Sequence, residues 1–252
     1  MALSLQDWHN RFLIQAQWTK ALRLYFFDLI RTKSSDRILD IGCGTGALLP
    51  DLQSLTPADI YGADISQEHL HLAQIESPES KLAGANVYRL PFPDNTFEIT
   101  LSHFFLMWIE DPFQALNEMI RVTRDNGYVI CFAEPDYGGR LDYPPEFSSL
   151  KEYQIEGLIN AGADPKIGRK LKSLFYSAGL MDIHVGVYEG HWNSGLSPDE
   201  IESEWQMLEN DLEHIVSKKE LADLKQYDQV SREQGARIVY VPTFYAYGIV
   251  SK

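Results

Sequence analysis

The chain predicts an α/β fold built on a largely parallel sheet with helices covering both faces. Three observations lead there. Short apolar, β-branched runs at residues 37–41, 60–63, 97–103 and 128–133 read as strands. Segments with helical periodicity alternate with them, at 46–55, 66–76 and 113–122. The run at 128–133 is continuously apolar, and strands alternating with helices of about ten residues specify a parallel sheet with both faces covered.

The elements follow in order. From residue 8 to residue 30 apolar side chains recur at helical spacing, with Leu22, Tyr25, Phe26 and Leu29 in one stripe, and this predicts a single N-terminal helix. The polar stretch 32–36 ends it. The strand at 37–41 runs into glycines and then into a helix over 46–55, with Pro50 in the first turn, where its missing N–H costs least. A strand at 60–63 leads to a helix over 66–76 that Ser66 is placed to cap. A short strand at 81–85 precedes the firmer one at 97–103. Pro112 opens the helix over 113–122, which buries Ala115, Leu116, Met119 and Ile120; Asp125-Asn126-Gly127 then turns the chain into the strand at 128–133.

Past Glu134 the rhythm changes. Residues 135–165 are rich in Pro, Gly, Asp and Tyr around one helix near 150–159. An amphipathic helix over 167–178 ends at Gly179, a suitable C′ glycine. Residues 181–188 alternate as a strand, 198–234 form a charged region of two helices, and 237–250 return to strand composition, with Pro242 marking an edge or a bulge. Irregular insertions of this kind in a regular sheet usually lie over a ligand site.

Composition narrows the function. With 22 Lys and Arg against 36 Asp and Glu, the net charge of −14 repels phosphate backbones and anionic lipid, so neither nucleic acid nor a membrane surface is the expected partner. Cys43 and Cys131 cannot frame a small protein, and no His or Cys spacing suggests a metal site. Asp7, Trp8, His9 and Asn10 interrupt any apolar leader, and no apolar run reaches the roughly 20 residues of a membrane span. The expectation is a soluble protein of a reducing cytoplasm. Its oligomeric state is left open.

The most informative stretch is Ile38-Leu-Asp-Ile-Gly-Cys-Gly-Thr-Gly46, a strand entering Gly42, Gly44 and Gly46 ahead of a helix. Without side chains the turn can be tight, and a ligand can lie on the backbone. Asp64 ends the next strand, where a carboxylate can accept both hydroxyls of a ribose. Nicotinamide enzymes favour G-x-G-x-x-G, and here the third glycine comes one residue early. Asp40, inside the strand before the glycines, would repel a pyrophosphate and attract an ammonium group. The pattern therefore points to an adenosine carrying a cationic amino acid.

On these residues the chain resembles the class I S-adenosylmethionine-dependent methyltransferases, in the branch that acts on small molecules (methyltransferase type 11-like). The resemblance runs from about residue 36 to residue 135. Ile38 to Gly46 is similar to the family's first motif and Gly62-Ala-Asp-Ile-Ser66 to its ribose-binding strand end. Leu90-Pro-Phe-Pro-Asp-Asn-Thr-Phe97 resembles a loop typical of the small-molecule branch, and Glu118-Met-Ile-Arg-Val122 with Asn126-Gly127 resembles the helix and turn before the fifth strand. The resemblance implies a Rossmann-like sheet of seven strands whose last strand is antiparallel. It implies S-adenosyl-L-methionine as cofactor, with Gly42 and Gly44 beside the methionine and ribose, Cys43 and Asp40 at the same turn, Asp64 on the ribose and Ile65 on the adenine. Asn86 stands where the family commonly has Asp on the adenine amino group, with Val87 beside it; an Asn carbonyl can accept the same bond.

The expected reaction is in-line transfer of the methyl group to a small, apolar or aromatic molecule. His103, at the end of the fourth strand, is read as pocket lining, as a general base or as a plain structural histidine. Trp108, Asp136 and Tyr137 are candidate substrate contacts, and His191 beside Trp192 is a weaker one. Gln17, Trp18 and Arg23 on the first helix are placed either to close over the cofactor or simply to pack on the sheet. The charged stretch 200–225 reads as a solvated helix face. One methyltransferase domain over 1–252 is expected, with a helical segment at 1–33, a cofactor-binding core at 36–135 and lid insertions at 136–165 and 195–235. Acceptor specificity is expected within 136–165 and 190–235. Two other classes stay open: a non-catalytic S-adenosylmethionine-binding protein, such as a sensor or an assembly factor, and an NAD(P)-dependent reductase.

Overall fold

The structure is a computed structural model and describes residues 3–188 and 196–252. Its centre is a seven-stranded sheet. In chain order the strands are β1 (Arg37–Ile41), β2 (Asp59–Asp64), β3 (Lys81–Gly84), β4 (Phe97–Ser102), β5 (Thr123–Pro135), β7 (Met181–Tyr188) and β9 (Thr243–Ile249), arranged β3-β2-β1-β4-β5-β9-β7. The pairs from β3 through β5 are parallel, while β9 lies antiparallel between β5 and β7. The expected mostly parallel sheet with an antiparallel last strand is the one observed. A second, two-stranded sheet pairs β6 (Leu141–Tyr143) with β8 (Ile238–Tyr240).

The helices are α1 (Leu5–Trp18), α2 (Lys20–Ile30), α3 (Leu49–Leu55), α4 (Gln67–Glu76), α5 (Pro112–Val122), α6 (Leu150–Asn160), α7 (Leu171–Ser177), α8 (Pro198–Leu212) and α9 (Lys218–Glu233). Alternate residues of the central strands feed two apolar layers. Leu39, Ile41, Val129 and Cys131 pack with Met119 of α5 and Phe175 of α7. Ile38, Ile99, Ile130 and Phe132 pack with Phe26 of α2 and Leu52 of α3. This explains why residues 128–133 are apolar throughout. A third layer, outside the sheet, gathers Phe147, Leu150, Trp205, Leu208 and Leu212 between α6, α8 and α9.

Several boundaries differ from the expectation. The single helix over 8–30 is two helices, because Thr19 leaves helical geometry (φ −99°, ψ 7°) and spends its hydroxyl on Arg23 and His103. The helix expected from residue 46 begins at Leu49, since Gly44 (φ +51°) and Gly46 (φ +80°) hold left-handed backbone. The strand expected at 128–133 reaches from Thr123 to Pro135; Asn126 (φ +59°) bulges it, so that Phe97 pairs with Thr123 and Ile99 with Tyr128. The 237–250 segment breaks at Pro242 and serves both sheets, β8 before it and β9 after it. The caps expected of Ser66 and Gly179 are present: Ser66 accepts the His69 N–H, and Gly179 (φ +80°) closes α7. No described helix is long and apolar enough to cross a membrane.

Candidate functional site

Parallel strands β2, β1, β4 and β5 deliver their C-terminal ends to one rim, and the glycine turn lies there. The Gly42 and Cys43 N–H groups both donate to the Ala63 carbonyl, at 2.8 and 3.1 Å, which bends the turn toward the end of β2. The Asp64 carboxylate completes the bend, with Oδ2 accepting the Gly44 N–H and Oδ1 the Ser66 N–H, each at 2.8 Å. A carboxylate offers about four acceptor positions, so both oxygens keep capacity for a ligand. Beside it Ile65, 74% exposed, presents an apolar surface at the rim that no core explains. Asp40 lies behind the turn, buried. Its pKa is pushed up to about 8, first by burial and then by the Asp64 charge, with Arg23 opposing. A carboxyl so placed gains its charge when a cation arrives.

The other sequence candidates fall around this turn in different roles. Cys43 packs into the core, and burial raises its thiol pKa, so the turn uses its size and not its reactivity. Asn86 accepts the Tyr88 N–H at 2.9 Å through Oδ1, fixing the loop after β3. Val87 is buried in the core, which leaves its main chain as the part that can meet a ligand. The Leu90–Phe97 loop and the Glu118–Arg121 pair, read separately in the sequence, are one assembly: Glu118 accepts the Leu90 N–H, while Arg121 donates to the Leu90 and Phe92 carbonyls.

His103 is held from below. Its Nε2 shares a 2.8 Å hydrogen bond with the Thr19 hydroxyl, and burial followed by the Arg23 charge lowers its pKa to about 3. A neutral imidazole with that affinity for protons is a weak base. Of the three readings of His103, this hydrogen bond and the lowered pKa favour the structural one.

Helix α1 roofs the site through Phe12, whereas α2 packs on the sheet through Phe26. Arg23 is fully buried and donates to Asp51 through Nε (2.9 Å) and Nη2 (2.6 Å), and to the Ala16 carbonyl. Two contacts beyond Gln17, Trp18 and Arg23 tie α1 to the turn. His9 shares a 2.8 Å hydrogen bond with Thr45 inside the glycine turn, and the Phe12 ring stands over Gly44, 3.6 Å from where a Cβ would be. Their i, i+3 spacing on α1 was the available signal, but a stripe gives no indication of what it faces.

Phe12 also lines a cavity of about 750 Å³, so one side chain touches both the glycine turn and the cavity. Trp8, Trp18, Phe104, Trp108 and Tyr137 form much of its wall; Trp108 is 47% exposed and Tyr137 half-buried. Asp136 takes no part in that wall. Its carboxylate is gripped by Arg169 at 2.5 and 2.8 Å and accepts the Gly138 N–H, which makes it a loop anchor. His191 and Trp192 lie outside the described residues. The stretch 200–225 is not merely a solvated face: Glu204 and Leu208 of α8 border the cavity, and Trp205 is buried behind them. Among the described residues no cluster of His, Cys, Asp or Glu is arranged to hold a metal.

Comparison with known proteins gives the following. Residues 39–131 match the family model of a methyltransferase domain. An uncharacterized methyltransferase of Schizosaccharomyces pombe is 36% identical over 155 residues, a match spanning 56% of this chain and 55% of that protein. The demethylmenaquinone methyltransferase of Geobacillus sp. strain WCH70 is 30% identical over 179 residues, covering 63% of this chain and 76% of that protein. Among solved structures, phosphoethanolamine N-methyltransferase 2 of Haemonchus contortus, in complex with S-adenosyl-L-methionine, aligns with a TM-score of 0.59 at 16% identity, over 100% of this chain and 61% of that one. A methyltransferase structure from Thermotoga maritima aligns with a TM-score of 0.58 at 16% identity, over 96% and 94%. Identities this low speak for the fold alone.

Proposed function

The chain belongs to the class I S-adenosylmethionine-dependent methyltransferases, and from that premise we propose that it methylates a small, apolar or aromatic molecule held in the cavity beside the glycine turn. The observation carrying this reading is Phe12, which covers Gly44 on one side and lines the aromatic cavity on the other. Cofactor and acceptor pockets joined through one side chain suit a direct transfer between them. The relatives named for demethylmenaquinone support an acceptor of this class.

S-adenosylmethionine supplies, when bound, a methyl group on a sulfonium that departs as a neutral thioether. Asp64 holds the ribose hydroxyls, Ile65 packs on the adenine, and the Asn86 carbonyl with the Val87 main chain meets its edge. Asp40 takes the ammonium group, while Gly42, Cys43 and Gly44 offer bare backbone. The residues of the chain thus bind and align; alignment alone can supply roughly 7–11 kcal/mol in favourable cases. The α1 roof and the α6, α8 and α9 layer act as lids that exclude water. Acceptor choice resides in those segments together with Phe104 and Trp108, which the core contributes to the same wall. We take the acceptor to be a small molecule rather than a nucleic acid, in keeping with a net charge of −14.

The test is calorimetric titration with S-adenosylmethionine, S-adenosylhomocysteine and NAD, followed by acceptor screening with labelled cofactor. Micromolar binding of the first two and none of NAD, with label reaching aromatic acceptors, is the expected result. Cofactor binding without transfer to any member of a broad aromatic panel would point to a non-catalytic binding protein.

A further inference from the structure

The roof on the glycine turn and the lid over the cavity are anchored separately. Helix α1 is tied to the turn by the His9 bond to Thr45 and by the Phe12 ring over Gly44, and it sends Trp8, Arg11 and Phe12 to the cavity wall. Helix α8 belongs to the layer outside the sheet. Its buried Trp205 donates to Asp228 of α9, and its Asp211 accepts from Gln154 of α6, each at 3.0 Å. These anchors are themselves cross-linked. Arg237 bonds both Asp228 and Asp142, at 2.6 and 2.8 Å, and Arg140 bonds both Asp142 and Gln154. The seam between roof and lid is far sparser. Arg11 Nη1 donates to Glu204 Oε1 at 2.7 Å, and among the described residues this is the one hydrogen bond or ion pair between α1 and α8. The other carboxylates that α8 brings to the cavity are engaged within the lid: Glu200 accepts the Ser197 N–H at 2.7 Å, and Asp211 is held by Gln154. The Arg11 guanidinium lies 4.7 Å over the Trp18 ring, which fixes it on the α1 side. The pair is sheltered, with side chains 9% and 30% exposed, so solvent and salt screen it less than a surface pair.

We infer that Arg11 and Glu204 are a positioning pair that couples the two pockets: a cofactor on the glycine turn holds α1 in place, and α1 holds α8 over the acceptor cavity through this one bond. The inference rests on the methyltransferase reading and adds to it a coupling between cofactor and acceptor. A ligand lying on the bare backbone of Gly44 meets Phe12 and so restricts α1. Motion removed from α1 is motion that α8 no longer has to lose when it closes, so ordering one side lowers the cost of ordering the other. A lid bonded directly to the turn would be ordered whether or not cofactor was present, and a lid without a bond to α1 would be indifferent to it. The coupling is reciprocal, so an acceptor that closes α8 tightens the hold on the cofactor by the same factor.

The experiment is hydrogen–deuterium exchange of the full chain, free and saturated with S-adenosylhomocysteine, with saturation of each variant confirmed by calorimetry. Expected in the wild-type chain is slowed exchange in α1 and, by at least fivefold, in α8, the lower end of the roughly 5–150-fold range of coupling between sites. Glu204→Ala, at a partly exposed position, keeps the slowing in α1 and brings that in α8 below twofold. Glu204→Gln keeps an acceptor oxygen for Arg11 and falls between the two. Glu202→Ala removes the 2.9 Å bond from Lys225 on the exposed side of α8 and leaves the α8 response at its wild-type value, which separates coupling from a mere loss of helix stability. No slowing of α8 in the wild-type chain overturns the inference. So does an α8 response that survives in Glu204→Ala, or one lost equally in Glu202→Ala. Failure of the wild-type chain to bind S-adenosylhomocysteine at all would strike the cofactor reading beneath it, which keeps the two failures apart.

Discussion

Asp64 and Gly44 are joined by a 2.8 Å hydrogen bond from the glycine N–H to the carboxylate, so one side chain both shapes the turn and faces the rim. Asp64→Ala removes that bond and the Ser66 bond, together with the two ribose bonds proposed for this carboxylate. Hydrogen bonds to a charged group are worth about 1.5–3 kcal/mol each, so the two ribose bonds alone predict at least a hundredfold loss of S-adenosylhomocysteine affinity. Asp64→Asn keeps an acceptor and loses less, on the order of tenfold. Calorimetry on variants with an unchanged thermal transition decides the matter; wild-type affinity in Asp64→Asn and Asp64→Ala alike would remove Asp64 from the site.

Asp40 predicts a proton released on binding. Its pKa of about 8 in the free chain keeps it largely protonated at neutral pH, and a bound ammonium favours the ionised form. Cofactor affinity should therefore rise with pH through about 8, and the heat of binding near neutral pH should depend on buffer ionisation. The stability effect runs the other way. The folded chain binds this proton more tightly than the unfolded chain, so the group's contribution is greatest below the ordinary carboxyl pKa of 3.8 and is lost as pH rises toward 8. Asp40→Asn should abolish the proton release and raise the melting temperature of the ligand-free chain at alkaline pH relative to wild type.

Glu134 organises the loop after β4. One oxygen accepts the Phe105 and Leu106 N–H groups, at 3.1 and 2.8 Å, and the other accepts that of Met107 at 3.1 Å, although burial pushes the carboxyl up to about 7. Phe105 in turn covers Gly42, where a Cβ would collide with its ring. Glu134→Ala strands three backbone donors and should cost about 3 kcal/mol or more. Glu134→Gln keeps one acceptor oxygen and should cost about half as much. Chemical denaturation measures both, and equal losses would contradict the role given to the second oxygen.

What the sequence revealed and what it concealed differ in kind. Ile38 to Gly46 and Asp64 could be read because strand, turn and carboxylate are local in sequence and the physics of a tight turn leaves few residue choices. The α/β order was legible for the same reason, since periodicity is a local property. The position of Asp136 at the end of β5 is visible in sequence, whereas its partner Arg169 lies 33 residues away and only folding brings the two together. Arg11 and Glu204 lie 193 residues apart, and the stretch that carries Glu204 reads in sequence as a solvated face. Thr19 concealed a helix break because the force behind it is a side-chain network with Arg23 and His103, not a proline or a glycine.

His103 carries the last prediction. Burial and the neighbouring Arg23 charge hold its pKa near 3, well below the ordinary 6.5, so the imidazole stays neutral across the whole physiological range. A catalytic base with that pKa would be ionised only in strong acid, and methyl transfer should show no limb between about pH 5 and pH 8 that His103→Asn removes. The imidazole resonances should likewise stay at their neutral positions down to about pH 4. Stability supplies an independent readout. The unfolded chain takes this proton more readily than the folded chain, so the contribution of the neutral histidine is complete above 6.5 and is lost as pH falls from 6.5 toward 3. His103→Asn should flatten that acid limb, because Asn can still bond to the Thr19 hydroxyl but cannot take up a proton. A titration midpoint near 6.5 by NMR, together with a rate limb at the same pH that vanishes in the variant, would restore His103 as the general base and set aside transfer by alignment alone.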